Sequence, residues 1–325
     1  MKVLVTGGAG YIGSTVSNYF IDRGHEVTII DNLSTGSIKN LPKKAIFYKN
    51  DISNIRAMNK IFVKKKFDIV FHFAALINNE ESIKFPKKYY KNNYEKAKVF
   101  FDCCIDNNIN KFIFSSTAGV YGNRNKKVNE NDKLLPMSPY PKSKLKLEKY
   151  LIKKKDKVRC VILRYFNVAG SDKKLRCGFN IRKGYNLILN LCAATLKNKT
   201  FIINGNDYKT PDGTTIRDYI HVEDLAQIHL LIANLILKKR VFKIFNCGYG
   251  NGFSVKEILQ KFILISKNKI NFKIGKRRNS DIVISIANSQ KLVREIKWKP
   301  KYNNLNYLLK SSLNWYKKNI NQKEY

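Results

Sequence analysis

The stretch KVLVTGGAGYIG, residues 2–13, constrains the fold more than any other part of the chain. A short apolar run, fit for a buried strand, ends in Gly7, Gly10 and Gly13, spaced G-x-x-G-x-x-G, and passes directly into a helical pattern. Glycines at these places let the chain turn sharply, bring bare backbone up to a ligand and allow the helix to close on the strand. The helix N–H groups then face an anion. A second strand-like run, EVTIID, ends in Asp31. An acid there suits hydrogen bonding to a ribose diol and repels a 2′-phosphate, so the pattern predicts a site for NAD rather than NADP.

The alternation continues through AIFYKND (45–51), DIVFHFAAL (68–76), KFIFSS (111–116) and RCVILRYF (159–166). Helix-like stretches near 54–66, 87–109 and 140–155 separate them. Repeated βαβ units predict an α/β fold, a doubly wound parallel sheet of the Rossmann kind with helices on both faces. After residue 166 the rhythm breaks. A loop-rich segment (171–186), a helix near 187–197, a short strand, a turn-rich stretch (204–222) and helices over 254–267 and 305–319 follow. We expect a dinucleotide-binding domain over 1–166 and a smaller mixed α/β substrate domain over 167–325, with some later segments packing back on the first.

Lysine and arginine number 62 against 24 acids, a formal net charge of +38. Clustered charge of that size would point to a polyanion partner. Here the lysines are scattered among asparagines and isoleucines, and the KKK runs at 64–66 and 153–155 fall at predicted helix ends, where cations suit the dipole. No specific nucleic-acid partner is expected, although the charge would draw an anionic substrate. The six cysteines form no CxxC pair and the four histidines are dispersed, so neither a metal site nor a disulfide framework is expected. The most apolar helix pattern, LAQIHLLIANLIL (225–237), is too short and polar to span a bilayer, and the N-terminus reads into a strand rather than a signal sequence. A cytoplasmic location without membrane association is expected.

Ligands of open α/β sheets collect at the carboxyl ends of the strands. Those ends are Phe73-Ala74-Ala75, Ser115-Ser116-Thr117 and Tyr165-Phe166-Asn167. Nearby, SPYPKSK (138–144) sets Tyr140 and Lys144 one helical turn apart. A free phenol with a pKa of ~10 is a poor base at neutral pH. An ammonium one turn away, together with an oxidised nicotinamide, is expected to lower that value, and Thr117 to bond the same substrate hydroxyl. Ser138 is expected to cap the helix, with Pro139 at its first position. Pro141 in the first turn disfavours helical geometry at Tyr140.

These motifs resemble the extended short-chain dehydrogenase/reductase superfamily: TGGAGYIG, Asp31-Asn32, HFAA, FSSTAGVYG and Tyr140-x-x-x-Lys144. DNLSTG (31–36), RYFNVAG (164–170), GNDYKTPDGTTIRDYIHVEDLA (205–226) and WKP (298–300) are similar to the UDP-glucose 4-epimerase family, and the likeness runs from Met1 nearly to the C-terminus. The resemblance implies that Tyr11, Ile12, Asp31, Asn32, Leu33, Ser34, Thr35, Gly36, Asp51, Ile52, Phe73, Ala74, Ala75 and Asn93 line an NAD site. It implies Tyr140 as base, Lys144 on the nicotinamide ribose, Thr117 on the reacting hydroxyl, and Tyr165 and Phe166 beside the nicotinamide. Asn167, Asn186, Leu187, Arg217, Arg278 and Asp281 would hold the uridine diphosphate of a UDP-sugar, in a homodimeric enzyme.

Three positions depart from the family pattern. Pro141 replaces the usual glycine, Ile77 stands where some relatives carry a lysine near the cofactor, and Ser285 stands where narrow-specificity relatives carry a tyrosine. A small residue at 285 implies room for an N-acetyl group, hence UDP-N-acetylglucosamine beside UDP-glucose. A nucleotide-sugar dehydratase would need an acid and a base, Asp-Glu, directly after the threonine, where this chain has Ala118-Gly119. A nucleotide-sugar decarboxylase, another epimerase, and a non-catalytic NAD-sensing or nucleic-acid-binding protein on the same fold remain as alternatives.

Overall fold

The computed structural model describes residues 1–180 and 186–320. The six apolar runs form parallel strands: β1 (Lys2–Thr6), β2 (Glu26–Asp31), β3 (Ile46–Lys49), β4 (Ile69–His72), β5 (Lys111–Thr117) and β6 (Arg159–Tyr165). Helices α1 (Tyr11–Ile21), α2 (Ile55–Lys64), α3 (Asn79–Lys84), α4 (Pro86–Tyr90), α5 (Ala97–Asp106) and α6 (Pro139–Lys153) connect them. A π-helical turn over Lys91–Lys96 joins α4 to α5. The lysine runs close α2 and α6, as the dipole argument expects.

The second half contributes β7 (Asn167–Ala169), α7 (Leu187–Lys197), β8 (Phe201–Asn204), β9 (Ile216–His221), α8 (Val222–Lys238) and β10 (Phe242–Cys247). After these come β11 (Gly252–Ser254), α9 (Val255–Ser266), β12 (Phe272–Gly275), β13 (Ile284–Ser285), α10 (Gln290–Ile296) and α11 (Leu305–Asn319).

The large sheet has seven parallel strands in the order β10-β6-β5-β4-β1-β2-β3. Strand order reverses between β1 and β4, so the carboxyl ends of these two strands flank the crevice where a ligand fits. Helices cover both faces, and two apolar layers result. Phe20, Phe71, Leu163, Ile228 and Phe245 pack on one side. Met58, Phe100, Phe112, Leu147 and Ile162 pack on the other. Burial on both faces is why these strands read as continuous apolar runs rather than alternating ones.

Two segments of the C-terminal half lie with the large sheet: β10 pairs with β6, and α8 packs against α1. The smaller lobe has β11-β9-β13 with β7 also on β9, a parallel β8–β12 pair, and a core including Leu191, Phe262 and Leu309. β9 corrects the expectation of a turn over 204–222, since Ile216–His221 form a central strand. The polar letters hid it, because buried Asp218 is there to accept the N–H groups of Tyr249, Gly250 and Ala287.

Candidate active site

The glycine loop is sterically committed. Gly7 has φ +72°, and a Cβ on it would lie 2.6 Å from the Ala74 nitrogen, while a Cβ on Gly13 would lie 2.4 Å from the Gly7 carbonyl oxygen. Gly10 occupies the N-cap of α1 with no side-chain bond, leaving bare N–H groups in the first turn where Tyr11 and Ile12 follow. Asp31 is buried and accepts from the N–H groups of Ala9 (3.0 Å) and Leu33 (2.8 Å). Burial pushes its carboxyl up and those two bonds pull it back. Each oxygen retains a lone pair for a ribose hydroxyl.

Closing the bond to Asp31 holds Leu33 at φ +59°. Asn32 turns back through its carbonyl to the Ser34 N–H and donates through its amide to Asp51 (3.0 Å). Burial alone would raise Asp51, but Lys96 at 2.6 Å, Ser53 and Asn32 hold it down to about 2. Ile52 is buried beside it, Thr35 accepts from Asn180, and Gly36 rests against Ala9. Bare glycine backbone, an N-terminal helix turn and an acid at the second strand end fit a dinucleotide. Phe73, Ala74 and Ala75 follow β4 on the other wall of the crevice. Asn93 is more deeply engaged than expected: its amide binds both backbone groups of Leu76 and the Ser143 hydroxyl, tying this wall to α6. Ile77 is 70% exposed.

At the β5 end, the Thr117 hydroxyl accepts from the Gly119 N–H at 3.1 Å and hydrogen-bonds the Tyr140 phenol. Two expectations need correction. Burial pushes Tyr140 up to about 12, and only the Thr117 bond offsets this. Lys144 does not point its ammonium at the phenol; it donates to the Ser115 carbonyl at 2.8 Å. Burial pulls Lys144 down to about 7, against a smaller upward pull from Glu148. Likewise Ser138 makes no side-chain cap; its hydroxyl donates to Asn79 Oδ1 at 2.7 Å. Tyr140 is helical despite Pro141.

Two buried locks behind these residues escaped the sequence reading. Glu148 lies one turn beyond Lys144 and takes Nε (3.1 Å) and Nη2 (2.7 Å) of buried Arg164. It also accepts from the Ser116 hydroxyl. Arg164 Nη1 donates to Tyr121, whose phenol donates to Asn246. In the second lock, His229 contacts the Leu225 carbonyl through Nδ1, which must therefore carry the proton. Nε2 is then the acceptor for the Tyr165 hydroxyl at 2.8 Å. An arginine inside an apolar strand run, and a histidine inside an apolar helix, were the available signals, because each requires a buried partner.

The substrate-side residues gather around β9. Arg217 is half-buried, donates to the carbonyls of Ile216 and Val283, and lies 3.9 Å from Asp281. Ser285 on β13 pairs in register with Arg217. Arg278 reaches Asp281 at 3.3 Å and Glu80 of α3 at 3.7 Å. Asn186 caps α7 by accepting from the Leu189 N–H, with Leu187 as the first helical residue, and Asn167 pairs with Tyr219. The two sets meet through α3: Arg278 touches Glu80, and the neighbouring Asn79 holds Ser138, two residues before Tyr140.

Residues 3–248 match the NAD dependent epimerase/dehydratase family. A UDP-glucose 4-epimerase of Lactobacillus helveticus is 36% identical over 321 residues, covering 98% of this chain and 97% of the relative. The structure of UDP-glucose 4-epimerase from Bifidobacterium longum in complex with NAD+ and UDP superposes with a TM-score of 0.92 at 32% identity over 99% of both chains. The UDP-Glc/GlcNAc 4-epimerase of Campylobacter jejuni superposes with a TM-score of 0.83 at 36% identity, covering 98% of this chain and 99% of that one.

Proposed function

This chain belongs to the NAD dependent epimerase/dehydratase family, and we propose on that footing that it interconverts UDP-glucose and UDP-galactose with NAD retained as cofactor. The observation that carries the reading is the meeting of Thr117, Tyr140 and Lys144 with Arg217, Arg278 and Asp281 through the α3 contacts. The glycine loop and Asp31 seat the pyrophosphate and adenosine ribose. Arg217 and Arg278 hold the diphosphate of the sugar nucleotide through charge-assisted bonds.

Held by the glycine loop and Asp31, NAD would supply the acceptor and donor of hydride at the sugar C4. Tyr140 takes the proton from the 4-hydroxyl, with Thr117 bonded to the same oxygen. At about 12 the phenol lies five units above neutral pH, so forming phenolate costs ~7 kcal/mol before any cation helps. The Lys144 ammonium and the nicotinamide charge offset that cost. Lys144 at about 7 is near the balance between its two forms, so a further anion beside it favours the charged one. Anchored only by its diphosphate, the 4-keto sugar turns over, Tyr140 returns the proton, and C4 is inverted.

A 4,6-dehydratase is disfavoured, because Ala118 and Gly119 form the turn after Thr117 and neither carries an acid or a base. Ser285, in register with Arg217, favours acceptance of the N-acetylated sugar as well. We place the enzyme in a reducing cytoplasm as a homodimer; its six buried, unpaired cysteines support the compartment. The test is incubation with UDP-galactose, UDP-N-acetylgalactosamine and their gluco epimers, with products separated. Tyr140→Phe is expected to abolish conversion while leaving NAD bound. Full activity in that variant would defeat the mechanism, and retained RNA at physiological salt without turnover would favour the binding-protein alternative.

A further inference from the structure

Lys144 is only 3% exposed, and its ammonium has the Ser115 carbonyl (2.8 Å), the more distant Ser115 hydroxyl (3.5 Å) and the face of Phe114 for company. Among the described residues no carboxylate forms an ion pair with it. A buried cation with so little compensation is expensive to hold in place. One turn along the same face of α6, Glu148 is wholly buried and fixed by two neighbours, Arg164 through two nitrogens and the Ser116 hydroxyl, with Tyr121 and then Asn246 holding Arg164 from behind.

We propose that the Glu148 carboxylate, clamped by Arg164 and Ser116, is the positioning group that keeps the Lys144 ammonium charged and seated at the carboxyl end of β5. This rests on the reading of Lys144 as the cation that serves the cofactor and Tyr140. The clamp sits where it can act on both the seat and the charge. Ser115, Ser116 and Thr117 are consecutive on β5, and they address Lys144, Glu148 and Tyr140 respectively. The strand end therefore fixes three residues spaced four apart on one helix face.

The other groups facing Lys144 supply no negative charge. His72 on β4 is kept neutral by burial, with its Nδ1 on Thr6. Tyr140 is a neutral phenol, and Ser115 and Phe114 on β5 are uncharged. Arg164 on β6 is cationic but is turned onto Glu148, and the carboxylate is the charge that Lys144 registers. Stability alone does not account for the pair, because an apolar pair of similar volume serves a core at least as well.

The test uses the full-length holoenzyme and three variants: Glu148→Gln, the apolar double variant Glu148→Leu/Arg164→Leu, and Lys144→Met. Lysine labelled with 13C at Cε reports the Lys144 titration by NMR, assigned by the signal lost in Lys144→Met. A carboxylate one helical turn away is worth about one to two pH units. Glu148→Gln is expected to move the Lys144 midpoint and the high-pH limb of kcat down by about that much, with KM for UDP-glucose unchanged. The double variant, which removes the Arg164 cation as well, is expected to move them down by less while melting near the wild-type temperature. A Glu148→Gln protein whose Lys144 titration and pH profile are unmoved overturns the proposal, as does a folded double variant whose Lys144 midpoint rises. If Lys144→Met itself retains wild-type NAD content and turnover, the underlying reading of Lys144 fails instead.

Discussion

Gly7→Ala places a methyl group where the neighbouring wall is backbone and cannot step aside. The added Cβ meets the Ala74 nitrogen at 2.6 Å, and the Ala74 Cα and the Phe73 carbonyl carbon at 2.8 Å. Holding alanine at φ +72° costs ~1–2 kcal/mol. Forcing the β1 and β4 ends apart adds ~1–3 kcal/mol. The sum is roughly 2–5 kcal/mol, which for a chain this long lowers the melting temperature by about 3–8 °C. Gly10→Ala is the matched contrast, since its Cβ meets only the Gly7 carbonyl oxygen, at 3.2 Å, and its φ is −78°. Loss of a favoured N-cap residue costs about 1 kcal/mol, or roughly 2 °C. Its methyl would instead stand at the mouth of α1, where the pyrophosphate approaches. Thermal unfolding is measured after nucleotide is removed, so that ligand stabilisation does not enter. NAD content is measured on protein as purified. We expect Gly7→Ala to lose both stability and NAD, and Gly10→Ala to lose NAD with only the small drop of roughly 2 °C. Wild-type melting of Gly7→Ala, or a full NAD complement in Gly10→Ala, would show that the loop does not hold the cofactor as argued.

Three further outcomes follow from the same geometry. Lys144→Met should lose turnover yet raise the melting temperature of the NAD-free protein at neutral pH. The folded pKa of Lys144, about 7, lies below the unfolded ~10.4, so the wild type carries a penalty that is complete below pH 7 and fades as pH rises toward 10.4; the gain should shrink over that window. Arg278→Met should weaken UDP binding by roughly tenfold or more, the worth of one charge-assisted bond, read by titration calorimetry; unchanged affinity would return Arg278 to a solvent role. Ser285→Tyr should suppress turnover of the N-acetylated sugar while sparing UDP-glucose, and equal loss on both sugars would point to damage at Arg217, its register partner.

What was legible in the sequence followed from local rules. The glycine spacing, the six apolar strand runs and the Tyr140–Lys144 spacing each state a geometry within a few residues. What was hidden depends on partners far along the chain. Glu148 sits in KLKLEKYL, where it reads as one more surface acid; it is buried because Arg164, on the next strand, needs a counter-charge. β10 was missed because FKIFNC carries Lys243 and follows a helix from the other half, so only pairing with β6 makes it a sheet strand. Ser138 matched the N-cap rule and still failed it, because Asn79 offers its hydroxyl a tertiary acceptor.

The departure at Pro141 finds its reason in the turn facing it. Pro139 and Pro141 lack N–H groups in a helix turn whose donors have no intrahelical partner, so the helix starts at little cost. Ser138, relieved of capping, is free to tether the start of α6 to α3, the helix whose Glu80 reaches Arg278. Pro141 is buried against Gly119: a Cβ on that glycine would lie 3.1 Å from the Pro141 Cβ and 3.4 Å from the Thr117 hydroxyl. A side chain at 119 would press on the ring at 141, and Gly119 is also the residue whose N–H donates to the Thr117 hydroxyl. The ring packs beside Gly119 at the start of α6, and Tyr140 keeps its helical geometry next to it.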